Sequence, residues 1–189
     1  MALTPSAMLP LGTPLPAFSL EQVNAEGAAA RTWTSEALGR EPVLVLFLCA
    51  HCPFVKHIEP EITRLQRDVS ERLRIVAISS NSTITHPQDG PEGLRAQALR
   101  CGWHFPYLFD ADQSVARAFQ AACTPDLFLF DDRHRLVYRG QLDDSRPGND
   151  RPLDGRDLRA AIDALLAGRA IDPDQTPSIG CNIKWHPAG

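Results

Sequence analysis

Val43-Leu-Val-Leu-Phe-Leu-Cys49-Ala-His-Cys52-Pro-Phe-Val-Lys-His57 is the stretch on which the fold turns. Val43 to Leu48 is a continuous apolar run, as expected of a strand buried on both faces. Phe54, Val55, Ile58, Ile62, Leu65 and Val69 follow at mostly helical intervals and mark one face of a helix. Leu73 to Ile78 reads as a second buried strand, so the segment opens a βαβ unit.

Working outward, a loop of turn formers over 79–90 leads to a helix from Pro91 to Arg100. An extended piece, Phe105–Phe109, precedes a helix expected over Asp112–Ala121. Asp126–Phe130 and Arg135–Arg139 flank Asp131-Asp-Arg-His134 and read as a hairpin. After the polar loop 141–155, Asp154 is expected to cap a last helix through Leu158, Ile162, Leu165 and Leu166, closed by Gly168. Prolines crowd the first 16 residues, the 86–91 loop and the tail after Asp172, which read as irregular. This order predicts an α/β protein, a mixed central sheet flanked by helices, in a single domain over 1–189.

Composition narrows the function. A net charge of −4 gives no basic field, so neither nucleic acid nor an anionic membrane is an expected partner. No apolar run reaches the roughly 18 residues of a membrane span. The opening Met-Ala-Leu-Thr-Pro-Ser-Ala-Met lacks the basic start of a secretory leader, and a cytoplasmic location is expected. Five cysteines are few and odd in number, pointing to redox or metal chemistry rather than a disulfide scaffold.

Two of those cysteines sit where strand gives way to helix. Pro53 fixes the register: proline favours the first helical position, which makes Cys52, not Cys49, the helix N-cap. A thiolate there is stabilised by unpaired backbone N–H groups and the positive end of the helix dipole. His51 and Lys56 are expected to add positive charge. Cys49, three residues back, is placed to attack a mixed disulfide on Cys52. Cys123 and Cys181 are further candidates for that resolving role. Cys181 lies in the tail 172–189, whose Ile179, Ile183 and Trp185 suggest packing on the body. Cys101 reads as packing. The alternative is a metal module using Cys49, Cys52 and His57, with His86 or His134 as a distant ligand. A non-catalytic binding protein with a vestigial site also stays open. Asp143, Asp144 and Arg146 are expected to order the 141–155 loop by a local ion pair. The 79–91 loop, with Asn81 and His86, is expected to rim the site.

Several motifs carry a family resemblance over nearly the whole chain. They are Thr13–Leu20, Cys49–His57 (C-x-H-C-P-F-V-K-H), Cys123-Thr-Pro-Asp126, Gly140–Arg146 and Ser178–Trp185. Together they resemble the peroxiredoxin-like branch of the alkyl hydroperoxide reductase/thiol-specific antioxidant class of redoxins. The resemblance implies a thioredoxin-like fold with an N-terminal redoxin extension and a C-terminal tail. It implies a thiol–disulfide oxidoreductase with Cys52 as nucleophile and Thr124-Pro125 as the backbone edge that presents a substrate disulfide. Protein or small-molecule disulfides and thiols would be substrates, a reducing thiol system the partner, and no cofactor is needed. Pro60, eight residues after Cys52, and Lys56 match thioredoxin positions. Val55 replaces the thioredoxin resolving cysteine and Leu46 its buried acid. The peroxidase triad is incomplete, with Val45, Cys49 and Pro125 at its proline, hydroxyl and arginine positions. What remains is slow reaction with peroxide at an exposed thiolate.

Overall fold

The computed structural model describes residues 3–25 and 31–187, so the last two residues of the tail lie outside it. Continuous apolar runs need cover on both faces, and the sheet supplies it. Strands β1 (Leu3–Pro5), β2 (Ser19–Gln22), β3 (Arg31–Thr34) and β4 (Val43–Phe47) precede helix α1 (Pro53–Val69). There follow β5 (Arg74–Ser79), α2 (Pro91–Cys101), β6 (Tyr107–Phe109), α3 (Ser114–Ala118) and β7 (Cys123–Thr124). The chain closes with β8 (Asp126–Phe130), β9 (Leu136–Tyr138), α4 (Arg156–Leu166) and β10 (Ile179–Asn182). The main sheet runs β3-β2-β6-β5-β4-β8-β9, parallel at β4–β5 and β5–β6 and antiparallel elsewhere.

Alternate residues of β4 serve two cores. Leu44 and Leu46 pack with Val55, Ile58 and Ile62 of α1, Leu94 of α2 and Leu158 and Ile162 of α4. Val43, Val45 and Phe47 pack with Val115, Ala116 and Phe119 on the other face. There Phe47, Phe119 and Phe128 meet edge to face at 5.3 to 5.8 Å between ring centres, the arrangement their quadrupoles favour.

Three expectations are corrected. The helix expected over Asp112–Ala121 is only Ser114–Ala118, because Gln113 and Gln120 take positive φ at its two ends. Its first N–H groups are satisfied by the buried Asp110 carboxylate, which accepts from Val115 and Ala116. The residue capping α4 is Gly155, at φ +66°, rather than Asp154; a Cβ there would fall 2.7 Å from Glu61 Oε1. Asp154 sits one residue earlier and accepts from Arg156 N–H.

The chain ends are ordered where irregular structure was expected. β10 lies between β1 and β7 in a second, three-stranded antiparallel sheet. A proline fits in β1 because that strand is an edge, with no inner ladder for it to interrupt. No helix among the described residues is long and apolar enough to cross a membrane.

Candidate functional site

Helix α1 begins at Pro53 with Cys52 as its N-cap, a short turn after the end of β4 at Phe47. Both cysteines of the junction are fully buried, which removes the exposed thiolate on which the peroxide expectation rested. Cys52 Sγ lies 2.8 Å from Cys181 Sγ on β10 and 3.3 Å from the carbonyl oxygen of Thr124. Cys49 Sγ lies 3.4 Å from Thr124 Oγ1 and 3.9 Å from His51 Nδ1. None of the five cysteines is in a disulfide.

These contacts divide the thiols by charge. Cys52 is lowered to about 5, first by a hydrogen bond from Cys49 and against the opposing effect of burial, then by one from Cys181. The Val55 N–H of the first turn adds to the effect, although the sulfur makes no regular capping bond. The donor thiols move the other way. Cys49 is held well above its ordinary value by its bond to Cys52 and by burial, with the Asp89 charge adding to both. Cys181 is raised to about 12 by burial and by donating to Cys52. These shifts favour charge on Cys52 and protons on its two neighbours.

The charged neighbours expected from sequence act differently. Lys56 is exposed on α1, and hydrogen bonds from thiols, not a basic side chain, dominate at Cys52. His51 instead binds Asp89, Nδ1 to Oδ2 at 2.5 Å, and stacks on His86 with ring centres 4.8 Å apart. Asp89 is the residue that sequence reasoning missed. It is fully buried, and its Oδ1 accepts the N–H groups of Ala50 and His51 at 2.9 and 3.1 Å. Its Oδ2 takes His51 Nδ1 and Asn81 Nδ2, the latter at 2.8 Å. Asn81 in turn accepts Lys184 N–H at 2.8 Å, so the 79–91 loop joins the junction to the tail.

Beneath the junction, Gln97 Nε2 donates to the Cys49 carbonyl and to Glu59, Tyr107 OH donates to Gln97, and Arg100 pairs with Glu59. This buried polar network fixes the end of β4.

Two candidate residues fall elsewhere, and Cys101 packs as expected. Cys123 Sγ turns to the carbonyl of Pro125 at 3.3 Å, and burial with the nearby Asp126 pushes its thiol far up. His57 Nε2 lies 2.6 Å from Ser145 Oγ, facing the 141–155 loop, so Cys49, Cys52 and His57 do not converge as a ligand set. Cys101 packs against the core, its thiol pushed up to about 11 by burial and Glu59. The loop itself is not ordered by an Asp143–Arg146 ion pair. Arg146 donates to the carbonyls of Asp143 and Ser145 and to Gln141. Asp143 accepts the N–H groups of Ser145, Asp154 and Gly155, and Asp144 pairs with Arg156.

Among the described residues one cluster, Cys49, His51 and Asp89, brings ligand atoms within 4.8 Å of one another. Its donor set does not suit a metal. A carboxylate offers about four acceptor sites, and Asp89 has four donors on it, one of them the His51 nitrogen nearest Cys49.

The Thr124–Pro125 peptide is cis, and Thr124 lies against both junction thiols. A mixed sheet with a cysteine at the N-cap position of the helix on this edge defines a redoxin of the thioredoxin fold. Residues 11–139 match the AhpC/TSA family model, more than half of the chain, and the protein belongs to that family. A conserved protein of Geobacillus kaustophilus, described as uncharacterized, is 44% identical with a TM-score of 0.94, covering 100% of this chain and 99% of its own. A hypothetical protein of Sinorhizobium meliloti 1021 is 43% identical with a TM-score of 0.92, over 98% of this chain and 100% of its own. The thioredoxin domain of a Bacteroides vulgatus thiol–disulfide oxidoreductase shares the fold at 14% identity and a TM-score of 0.61, over 80% of this chain and 97% of that one. A comparison with proteins of curated function found no significant match.

Proposed function

We infer that the chain is a thiol–disulfide oxidoreductase in which Cys52 is the attacking thiolate and Cys181 the thiol that resolves it. The observation that carries this reading is the 2.8 Å separation of the two sulfurs at the start of α1. An S–S bond is about 2.05 Å long, so a small shift of either side chain closes it. The Cys52 thiolate attacks one sulfur of a substrate disulfide and expels the other as a thiolate. Cys181 then attacks Cys52 and passes its proton to the second departing thiolate. Two electrons have moved to the substrate, and a partner thiol reverses the cycle.

In this reading Cys49 is the donor that holds Cys52 ionised and the second thiol within reach of it. His51, Pro53 and Thr124-Pro125 shape the junction, and protein or small-molecule disulfides with a reducing thiol system are the partners. Five cysteines with no disulfide among them suit the cytoplasm. Trapping tests the assignment: Cys181→Ser accumulates a mixed disulfide on Cys52, and Cys52→Ser abolishes exchange. Full turnover in Cys181→Ser together with trapping in Cys49→Ser would move the resolving role to Cys49.

A further inference from the structure

Cys52 and Cys181 are both buried, and the cleft lined by Phe54, His57, Pro125 and Ile179 encloses about 20 Å³, room for about one water. A disulfide of any size meets a closed site while β10 is docked. β10 lies antiparallel to β7 with Cys181 opposite Thr124, and that register sets the Cys181 sulfur 2.8 Å from Cys52. The strand that supplies the second thiol is thus also the cover of the first.

The residues just after β10 are clasped from outside the strand. Lys184 N–H donates to Asn81 Oδ1 at 2.8 Å, and its carbonyl accepts Ser82 N–H at 2.7 Å and Gln113 Nε2 at 2.8 Å. Gln113 Oε1 accepts His186 N–H at 2.8 Å, and Arg117 sits over the Trp185 ring at 4.7 Å. Asn81 also faces the other way. Its side chain is buried, and its Nδ2 donates at 2.8 Å to Asp89, the carboxylate that holds Ala50 N–H and His51 N–H. One amide therefore spans the Cys49–Cys52 turn and the segment that carries Cys181. The chemistry calls for an amide: a carboxylate has no proton to offer Asp89, and an aliphatic side chain has no oxygen for Lys184 N–H.

We propose that Asn81 is a positioning residue for the resolving step: through Lys184 it docks β10, which holds Cys181 on Cys52 and closes Cys52 to substrate until the tail lifts. The inference rests on the oxidoreductase reading above. With the tail lifted, the Cys52 thiolate attacks a disulfide RSSR, forms the mixed disulfide and releases RS⁻, which takes a proton from solvent. Redocking then brings Cys181 onto the Cys52 sulfur. The Cys52–Cys181 bond forms, the mixed disulfide breaks, and the second thiolate leaves with the Cys181 proton. The adduct occupies the space that β10 must re-enter, so the rate of this step follows the strength of docking.

The test reads two rates by peptide mass in the fully reduced protein. One is alkylation of Cys52 by iodoacetamide, taken relative to Cys101 in the same sample. The other is decay of the Cys52 mixed disulfide after a pulse of bis(2-hydroxyethyl) disulfide, quenched with acid. Asn81→Ala is expected to speed Cys52 alkylation about tenfold relative to Cys101, the effect of weakening docking by about 1.4 kcal/mol. It should slow decay of the adduct by a similar factor, so that the mixed disulfide accumulates. Lys184→Pro deletes the same hydrogen bond from the tail side while leaving Asn81 on Asp89. It should move both rates in the same directions, and it decides the matter if Asn81→Ala does not fold. Cys52 alkylation unmoved relative to Cys101 in the folded variants, or faster alkylation with undiminished decay of the adduct, would overturn the positioning role. Alkylation that responds to the variants, with no Cys52 adduct or bond formed in any protein, would instead overturn the oxidoreductase reading, and the resolving role of Asn81 with it.

Discussion

Replacing Cys49 with alanine removes the largest single stabiliser of the Cys52 thiolate while leaving the helix, Cys181 and the sheet in place. The Cys49 bond heads the causes that bring Cys52 to about 5. A hydrogen bond to a charged group is worth about 1.5–3 kcal/mol, and each pKa unit corresponds to about 1.36 kcal/mol. The alanine variant should therefore titrate about one to two units higher, near pH 6 to 7. Cys49→Ser, which keeps an O–H donor, should move less. The assay is the rate of alkylation of Cys52 by iodoacetamide from about pH 4 to about pH 9, read from the mass of its peptide. An inflection unmoved in Cys49→Ala would refute the donor role, and a wild-type inflection in the ordinary thiol range would refute the thiolate itself.

Stability should depend on pH through two buried groups of opposite sign. Cys52 is lowered from 9.0 to about 5 on folding, so its contribution is fully present above pH 9.0 and lost as pH falls toward 5; urea unfolding should show this slope in wild type and not in Cys52→Ser. Asp126 is raised from 3.8 to about 6 by burial, against hydrogen bonds from Ser6 and backbone groups. Its contribution is present below 3.8 and lost as pH rises through 6, and Asp126→Asn should flatten that stretch of the same curve. Asp89→Ala strips partners from Ala50 N–H, His51 N–H and the Asn81 amide. It should cost about 3–5 kcal/mol in urea unfolding, and an unchanged midpoint would contradict the account of that cluster.

Much of this architecture was legible because its signals are local. The run Val43–Leu48 needs cover on both faces wherever it occurs, and Pro53 names the first turn of its helix without help from the rest of the chain. Asp131 and its turn announce a hairpin in the same way, the carboxylate accepting Arg133 and Arg135 N–H. The parts that were not legible are long-range pairings. Asp89 sits 38 residues from the His51 N–H it accepts, and nothing in Pro87-Gln-Asp89 distinguishes it from any acidic residue in a turn. Cys181 is 129 residues from Cys52, and its strand is too short and too rich in glycine and polar groups to show a period. His57 misled because helical spacing gives the face of a side chain, not its partner, and Ser145 took it.

Peptide mapping of the alkylated protein before and after mild oxidation by a small disulfide tests the central claim most directly. One reversible bond, Cys52 to Cys181, is expected, with Cys101 and Cys123 alkylated throughout. Five alkylatable thiols after oxidation, or a bond that omits Cys52, would contradict it.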